Sequence, residues 1–329
     1  MRKKIRSILI TGGAGFIGSA FVRLAVAKGC KVIVVDNLTY AGDLKRLATV
    51  RNKIAFCKAD IADKAKINSI FKKFRPSIVV NFAAETHVDR SIRDASAFLK
   101  TNVIGTQVLL DASRTHNAQR FVHISTDEVY GEIDRGEFSE ESPLKANSPY
   151  AASKAAADLL IKSYMRTYGF PAVIVRPCNN YGVWQYPEKL IPLSILKIFR
   201  NEKIPIYAQG KNVREWLYVE DCARGILSIM QKGKLGEVYN LGSNEERQNI
   251  ETIKLLLKTL GASRNMIQFV KDRPGHDIRY KLSSLKTARE TGWRPKTGLP
   301  EGLKKTVAWA KDNRQWLLSK WNSIAPLYK

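Results

Sequence analysis

Six short runs rich in β-branched residues constrain the fold of this chain more than any other feature. They are RSILIT (Arg6–Thr11), KVIVVD (Lys31–Asp36), IAFCKAD (Ile54–Asp60), SIVVNFA (Ser77–Ala83), RFVHIST (Arg120–Thr126) and PAVIVRP (Pro171–Pro177). They do not alternate polar and apolar residues, so they read as strands buried on both faces. Amphipathic stretches at Phe16–Lys28, about Ala95–Thr115 and about Tyr150–Tyr168 separate several of them. Strand–helix–strand repetition predicts an α/β fold built on a doubly wound parallel sheet. Beyond Pro177 the pattern loosens. A loop-like CNNYGVWQYPEKLIP is followed by a helix near Leu193–Arg200, a short strand IPIYA, a strand or loop feeding a helix in VREWLYVEDCARGILSIM, and a strand EVYNLGS. With 329 residues, the chain suits one large or two moderate domains. The expected division is a first domain of residues 1–178, to which 213–243 return, and a smaller interleaved mixed α/β domain from 179–212 and 244–329.

Composition removes several classes of function. No apolar run approaches the length of a membrane span. The basic-then-apolar start, MRKKIRSILITGG, is too short in its apolar part for a signal peptide and reads as a first strand. Cys30, Cys57, Cys178 and Cys222 are widely spaced, so the expectation is a reducing cytoplasm with no disulfide framework. They and the four histidines show no metal-ligand spacing, and no metal is expected. The formal net charge of +25 would attract polyanions, but Lys and Arg are spread along the whole chain and no nucleic-acid motif accompanies them. No specific nucleic-acid partner is expected; an anionic small molecule needs only a few of these charges.

The segment ITGGAGFIGS places Gly12, Gly15 and Gly18 directly after the first strand, with Phe16 and Ile17 opening a helix. Glycines there allow a tight turn and close approach of a pyrophosphate to a helix N-terminus. The motif alone is weak, since glycines often only make turns. Its context strengthens it: the second strand ends in Asp36, where a carboxylate would meet ribose hydroxyls, and the run continues Asn37-Leu38-Thr39 with no arginine to welcome a 2′-phosphate. This predicts a Rossmann-type site for NAD rather than NADP. Asp60 and Ile61 after the third strand, and Phe82, Ala83 and Ala84 after the fourth, extend the site along successive strand ends.

The fifth run ends in Thr126-Asp127-Glu128, a hydroxyl followed by two adjacent carboxylates. At a strand end such a pair is ordinarily a solvated loop feature. Downstream, Tyr150 and Lys154 stand four apart in SPYAASK, on one face of a helix. A phenol of ordinary pKa near 10 is a poor base at neutral pH. An adjacent ammonium and the positive nicotinamide would both lower it. A Tyr-x-x-x-Lys pair is expected by chance in a Lys-rich chain and gains meaning only beside such a strand end.

Together TGGAGFIGS, AAETHVDRS, STDEVYGE, SPYAASK, NNYG, PEKLIP, WLYVED, YNLGS and DRPGHDIRY resemble the extended short-chain dehydrogenase/reductase family. Within it they are most similar to the nucleotide-sugar 4,6-dehydratases, above all those acting on dTDP-glucose. The likeness spans nearly the whole chain, and the adjacent Asp-Glu pair sets it apart from the epimerases and decarboxylases. The resemblance implies NAD-dependent conversion of a nucleotide-activated glucose into a 4-keto-6-deoxy sugar by a homodimer. It makes Tyr150, supported by Lys154, the base at the carbon-4 hydroxyl, Glu128 the base at carbon 5, Asp127 the acid at carbon 6, and Thr126 a hydrogen-bond partner of the carbon-4 oxygen. It adds Thr101 and Asn180 to the cofactor site. It assigns nucleotide-sugar contacts to Thr86, Asn179, Lys189, Leu190, Pro205, Tyr207, Arg214, Asn249, Arg273 and His276. One departure stands out: where related enzymes commonly read Gly-Pro-Tyr after Asn-Asn-Tyr, this chain has Gly182-Val183-Trp184. Which base and which sugar are bound stays open. So do the alternatives of a UDP-sugar dehydratase, a UDP-sugar epimerase or decarboxylase, and, more remotely, a non-catalytic nucleotide- or RNA-binding protein.

Overall fold

The computed structural model of the protein describes residues 7–272 and 277–328. Seven parallel strands form the main sheet: β1 (Ile8–Thr11), β2 (Val32–Asp36), β3 (Ile54–Lys58), β4 (Ile78–Asn81), β5 (Arg120–Ile124), β6 (Ala172–Pro177) and, later in the chain, Val238–Leu241. With that last strand at one edge, the order continues β6-β5-β4-β1-β2-β3. The first six are the six β-branched runs; five are buried almost throughout as anticipated, while β3, at the sheet edge, is only half-buried and ends in an exposed Lys58. Helices cover both faces, leaving one apolar layer with Val34, Val80 and Val122 and another with Ile33, Val79 and Phe121. The chain moves outward from β1 to β3, then crosses back to β4 beside β1. That reversal opens a crevice at the carboxyl ends of the strands, where ligands of such sheets bind.

The smaller part is built from β7 (Asn179–Tyr181), β8 (Ile204–Ile206), β9 (Val213–Tyr218), and, after β10 (the Val238–Leu241 edge strand), β11 (Glu246–Gln248) and β12 (Ile267–Phe269). One sheet has the order β11-β9-β7, and β12 pairs with β8. Within 213–243, expected to return to the first domain, the Val219–Lys232 helix packs on the Phe16–Ala27 helix and β10 joins the main sheet. β9 instead pairs with β7 and β11. A separate core of Ile191, Leu196, Leu256, Leu303 and Trp316 holds this part together.

The expected continuous helix over Ala95–Thr115 is divided. It begins with Ser96–Phe98, widens into a π-helix over Leu99–Gly105, and becomes regular over Thr106–Thr115. The widened turn coincides with side chains that claim backbone groups: Asn102 exchanges hydrogen bonds with the Glu85 backbone and donates to Ser153 Oγ (2.8 Å), while the Thr106 hydroxyl takes the Asn102 carbonyl (2.7 Å). Among the described residues no helix is long and apolar enough to cross a membrane.

Candidate active site

The Phe16–Ala27 helix begins at Gly15 with no side chain capping its first amides. Gly12 turns the chain with φ +64°, and a Cβ there would come within 2.6 Å of the Ala83 nitrogen. A Cβ on Gly18 would fall 2.2 Å from the Gly12 carbonyl oxygen. Only glycine fits either place, and the result is an uncapped helix N-terminus facing the crevice, suited to a diphosphate. Asp36 lies at the end of β2. Its two oxygens accept from Ala14 N–H and Leu38 N–H, both at 2.8 Å, leaving one lone pair on each for ribose hydroxyls. Burial pushes its carboxyl upward, against those two donors and the nearby Arg46 charge.

The remaining residues singled out by sequence gather around the same cleft. Among the described residues one does not, Leu38. Arg273 and His276 lie outside the described residues. Leu38 adopts a left-handed backbone (φ 55°), packs against the core of the first domain and offers only its N–H to Asp36. Asn179, Asn180 and Asn249 line the cleft, and their buried side-chain oxygens have no hydrogen-bond partner among the described residues. Buried amides of this kind stay unpaired at a cost unless a ligand answers them. Lys189 reaches the Thr86 carbonyl (3.2 Å), and Arg214 donates to the backbone carbonyls of Val213, Ile278 and Asp277 while stacking over Tyr280. NAD thus fits what this cleft presents, from the uncapped helix through Asp36 to the unpaired amides. No group of three or more His, Cys, Asp or Glu among the described residues could hold a metal.

The acid pair sits where β5 ends. Thr126 caps a short 3-10 turn, Asp127–Tyr130, its hydroxyl oxygen accepting from Glu128 N–H. The turn sends the two carboxylates into different surroundings. Asp127 is 2% exposed, its Oδ2 has no partner among the described residues, and burial, then Glu128, then Glu215 drive its carboxyl well above the ordinary carboxylate range. Glu128 is half-buried beside it. Of the two, Asp127 is the one whose surroundings favour the protonated form, and Glu128 is the more solvated.

Tyr150 enters from the Pro149–Tyr168 helix, whose start Ser148 caps (Ala151 N–H to Oγ, 3.1 Å) with Pro149 at the first position. The expected lowering of its phenol by Lys154 is corrected here. Burial and then Glu128 push Tyr150 upward, and only a hydrogen bond with Thr126 opposes them appreciably. Lys154 directs its amine elsewhere, donating to the Ile124 carbonyl (2.7 Å) and lying 3.2 Å from His123 Nε2. Burial lowers Lys154 to about 8, against the charge of Asp158.

Residues that sequence reasoning left out also line the cleft. Glu85 and Glu188 stand in the quoted runs AAETHVDRS and PEKLIP without having been assigned a place there. Burial pushes both carboxyls upward, and Tyr40 donates to Glu188 Oε1 (3.1 Å). Arg46, 1% exposed, had no signal at all. It donates to the carbonyls of Ala14, Ala41 and Trp184, tying the glycine turn to the loop after β2 and to the Gly182–Trp184 departure. Trp184 itself does not face the cleft; it packs against Trp309 and Trp316.

A family model described as GDP-mannose 4,6 dehydratase matches residues 9–306. The chain is 46% identical over 317 residues to a dTDP-glucose 4,6-dehydratase of Streptomyces niveus, with 94% of each chain covered. Among solved structures it is similar to DesIV, a dTDP-glucose 4,6-dehydratase of Streptomyces venezuelae with NAD and TYD bound (TM-score 0.92, 46% identity, 94% of this chain and 98% of that one). It is also similar to a UDP-glucose 4-epimerase of Thermotoga maritima with UDP-glucose, at TM-score 0.89 and 32% identity over 94% of this chain and 99% of the other. The fold is thus common to dehydratases and epimerases, while the higher identity lies with the dehydratases. The chain belongs to the nucleotide-sugar 4,6-dehydratase family, among the dTDP-glucose 4,6-dehydratases.

Proposed function

We propose that this protein catalyses the NAD-dependent 4,6-dehydration of a nucleotide-activated hexose, dTDP-glucose, to dTDP-4-keto-6-deoxyglucose. The observation that carries the reading is the pairing of a buried Asp127, whose carboxyl burial and the neighbouring charges push well above the ordinary range, with a half-buried Glu128 beside the Tyr150 phenol. Water loss across carbons 5 and 6 needs one group that gives a proton and another that takes one, and this turn supplies both. NAD, which the uncapped helix N-terminus and Asp36 would hold, would supply a reversible hydride acceptor that is not consumed over a turnover. Tyr150 takes the carbon-4 hydroxyl proton, and Thr126, already bonded to that phenol, orients it. Glu128 removes the proton at carbon 5, which the neighbouring ketone has acidified. Asp127 gives its proton to the carbon-6 hydroxyl as that group leaves. The diphosphate of the sugar nucleotide meets Lys189 and Arg214. We assign the cofactor to the first domain and the sugar nucleotide to the cleft wall formed by the second.

The test is mass spectrometry of products from a panel of nucleotide-glucoses. Loss of one water from dTDP-glucose is the expected result. An unchanged mass with inverted carbon 4 would replace the proposal with an epimerase, and water loss from UDP-glucose alone would reassign the base.

The protein is further proposed to act as a cytoplasmic homodimer. Its four cysteines are free, as a reducing compartment requires. Leu99 and Ile104 on the π-helix, and Leu159 and Tyr168 on the Pro149–Tyr168 helix, are large apolar side chains left about half exposed. Two helices with such faces suit a four-helix contact between copies. Light scattering at micromolar concentration is expected to give twice the chain mass, and Leu159→Asp to shift it toward the monomer. A monomer mass for the unmutated protein would refute the pairing.

A further inference from the structure

Arg46 is a cation with almost no surface of its own. It stands in the short 3-10 helix Leu44–Lys53 and is buried at the cleft. Burial lowers its guanidinium to about 10, against the charges of Asp43 and Asp36, so it stays charged at neutral pH. Its donors go to the main chain: Nε to the Trp184 carbonyl at 3.0 Å, and Nη1 to the carbonyls of Ala14, at 2.9 Å, and Ala41. Its own carbonyl is held in turn by Arg23 Nη1 at 2.8 Å, and the guanidinium lies 5.5 Å from the centre of the Trp316 ring. A planar fork of fixed N–H groups can hold carbonyls that arrive from different directions.

The three carbonyls come from three segments of the cleft. Ala14 belongs to the glycine turn, and its peptide groups are fixed on both sides: its N–H donates to Asp36, and its carbonyl accepts from Arg46 and from Asp43 N–H at 3.0 Å. Ala41 belongs to the loop after β2, which lines the cofactor end together with Thr39 and Gly42. Trp184 belongs to the other wall, between Asn180 and Lys189, both of which line the cleft. Its backbone is left-handed, with φ 68°, a conformation that a bulky residue holds only under outside constraint. The Arg46 bond and the packing of its ring on Trp309 and Trp316 supply that constraint. The next residue, Gln185, faces the cleft and donates to the Asn180 carbonyl at 2.8 Å. One guanidinium therefore carries two segments of the cofactor end and one of the opposite wall.

We infer that Arg46 is a positioning residue that ties the glycine turn and the loop after β2 to the Trp184 loop, so that NAD and the sugar nucleotide both meet segments already in place. At 1% exposure it offers a ligand almost nothing to touch and acts through the three carbonyls. Without it, each ligand has to order its own loop, and that cost falls on binding rather than on the chemical step. The part that concerns the sugar nucleotide rests on the proposed function; the tie between the segments does not.

The test compares the unmutated protein with Arg46→Met, which removes the donors at similar length, and Arg46→Lys, which keeps the charge without the fork. For the Met variant, calorimetry is expected to give an NAD dissociation constant raised about tenfold, the scale of one hydrogen bond to a charged group. With NAD saturating, the KM for dTDP-glucose is expected to rise by about the same factor while kcat stays within about threefold. Hydrogen exchange of the NAD-saturated full chain should quicken in residues 37–43 and 182–188 but not in the Val238–Leu241 strand. The Lys variant should fall between the two. A fall in kcat with both constants unmoved would leave Arg46 a stabilising role alone and overturn the inference. Weaker NAD binding with unchanged exchange in 182–188 would overturn the tie between the two walls. If the Met variant does not fold, a folded Lys variant unmoved in every measurement overturns it equally. If the unmutated protein removes no water from dTDP-glucose, the proposed function fails, and the NAD titration and the exchange rates still decide the role of Arg46.

Discussion

Tyr150→Phe is expected to leave no measurable dehydration, a loss of at least about 10²–10⁴-fold for a group that moves a proton in the transition state. The change removes one oxygen and keeps the ring. That ring packs with Val88 and Phe98, the Phe98 centroid 6.3 Å away in an edge arrangement, and none of this needs the hydroxyl. The phenol is buried and held upward mainly by that burial, so its loss relieves desolvation rather than opening a cavity. Thermal stability should therefore stay near that of the unmutated protein while chemistry stops at its first step. With substrate present, the Phe variant should show neither reduced-nicotinamide absorbance nor deuterium uptake at carbon 5. Dehydration within tenfold of the unmutated protein would remove Tyr150 from its role.

Legibility from sequence follows the physics of each part. The main sheet was readable because strands buried on both faces have to be apolar almost throughout, and VIVVD or AVIVRP admit little else. The cleft was readable because parallel strands all point their carboxyl ends the same way, so Gly12, Asp36, Asp60, Ala83 and Thr126 converge without any pairwise signal. What did not show were features decided by partners distant in sequence. The π-helix over Leu99–Gly105 depends on Asn102 finding Glu85 and Ser153. The Lys154 amine meets His123, thirty-one residues away on a different element. Periodicity also has no way to show that the Trp184 ring turns toward Trp309 and Trp316 while its carbonyl accepts from Arg46, so that the sequence departure does not line the cleft. The same C-terminal aromatics reach back to the loop after β2, where Trp316 Nε1 (2.8 Å) and Lys320 Nζ (2.9 Å) both donate to Asp43. Such clasps join the two ends of the chain and leave no local trace.

The second large effect separates Asp127 from Glu128, adjacent residues that should fail at different steps. Burial and the charges of Glu128 and Glu215 favour the neutral form of Asp127, so Asp127→Asn puts a neutral group of the same shape in its buried place and should be tolerated by the fold. It removes the proton that lets hydroxide leave carbon 6. Oxidation at carbon 4 needs no such proton, so this variant should produce the 4-keto sugar without water loss, with dehydration down by about 10²–10⁴-fold. Glu128→Gln removes the base instead, and exchange of the carbon-5 proton with deuterated solvent should stop while oxidation at carbon 4 persists. It has a second consequence with a definite sign. The Glu128 charge is among the influences raising Asp127 and Tyr150, after burial in both cases. Its removal lets Asp127 lose its proton at lower pH, so the basic limb of any residual dehydration should shift downward, not upward. A solvated loop pair would accept both substitutions with near-normal turnover. Single-turnover absorbance and mass-resolved deuterium uptake for the two variants decide between the readings, and rapid dehydration by Glu128→Gln would end the assignment of that carboxylate as the base.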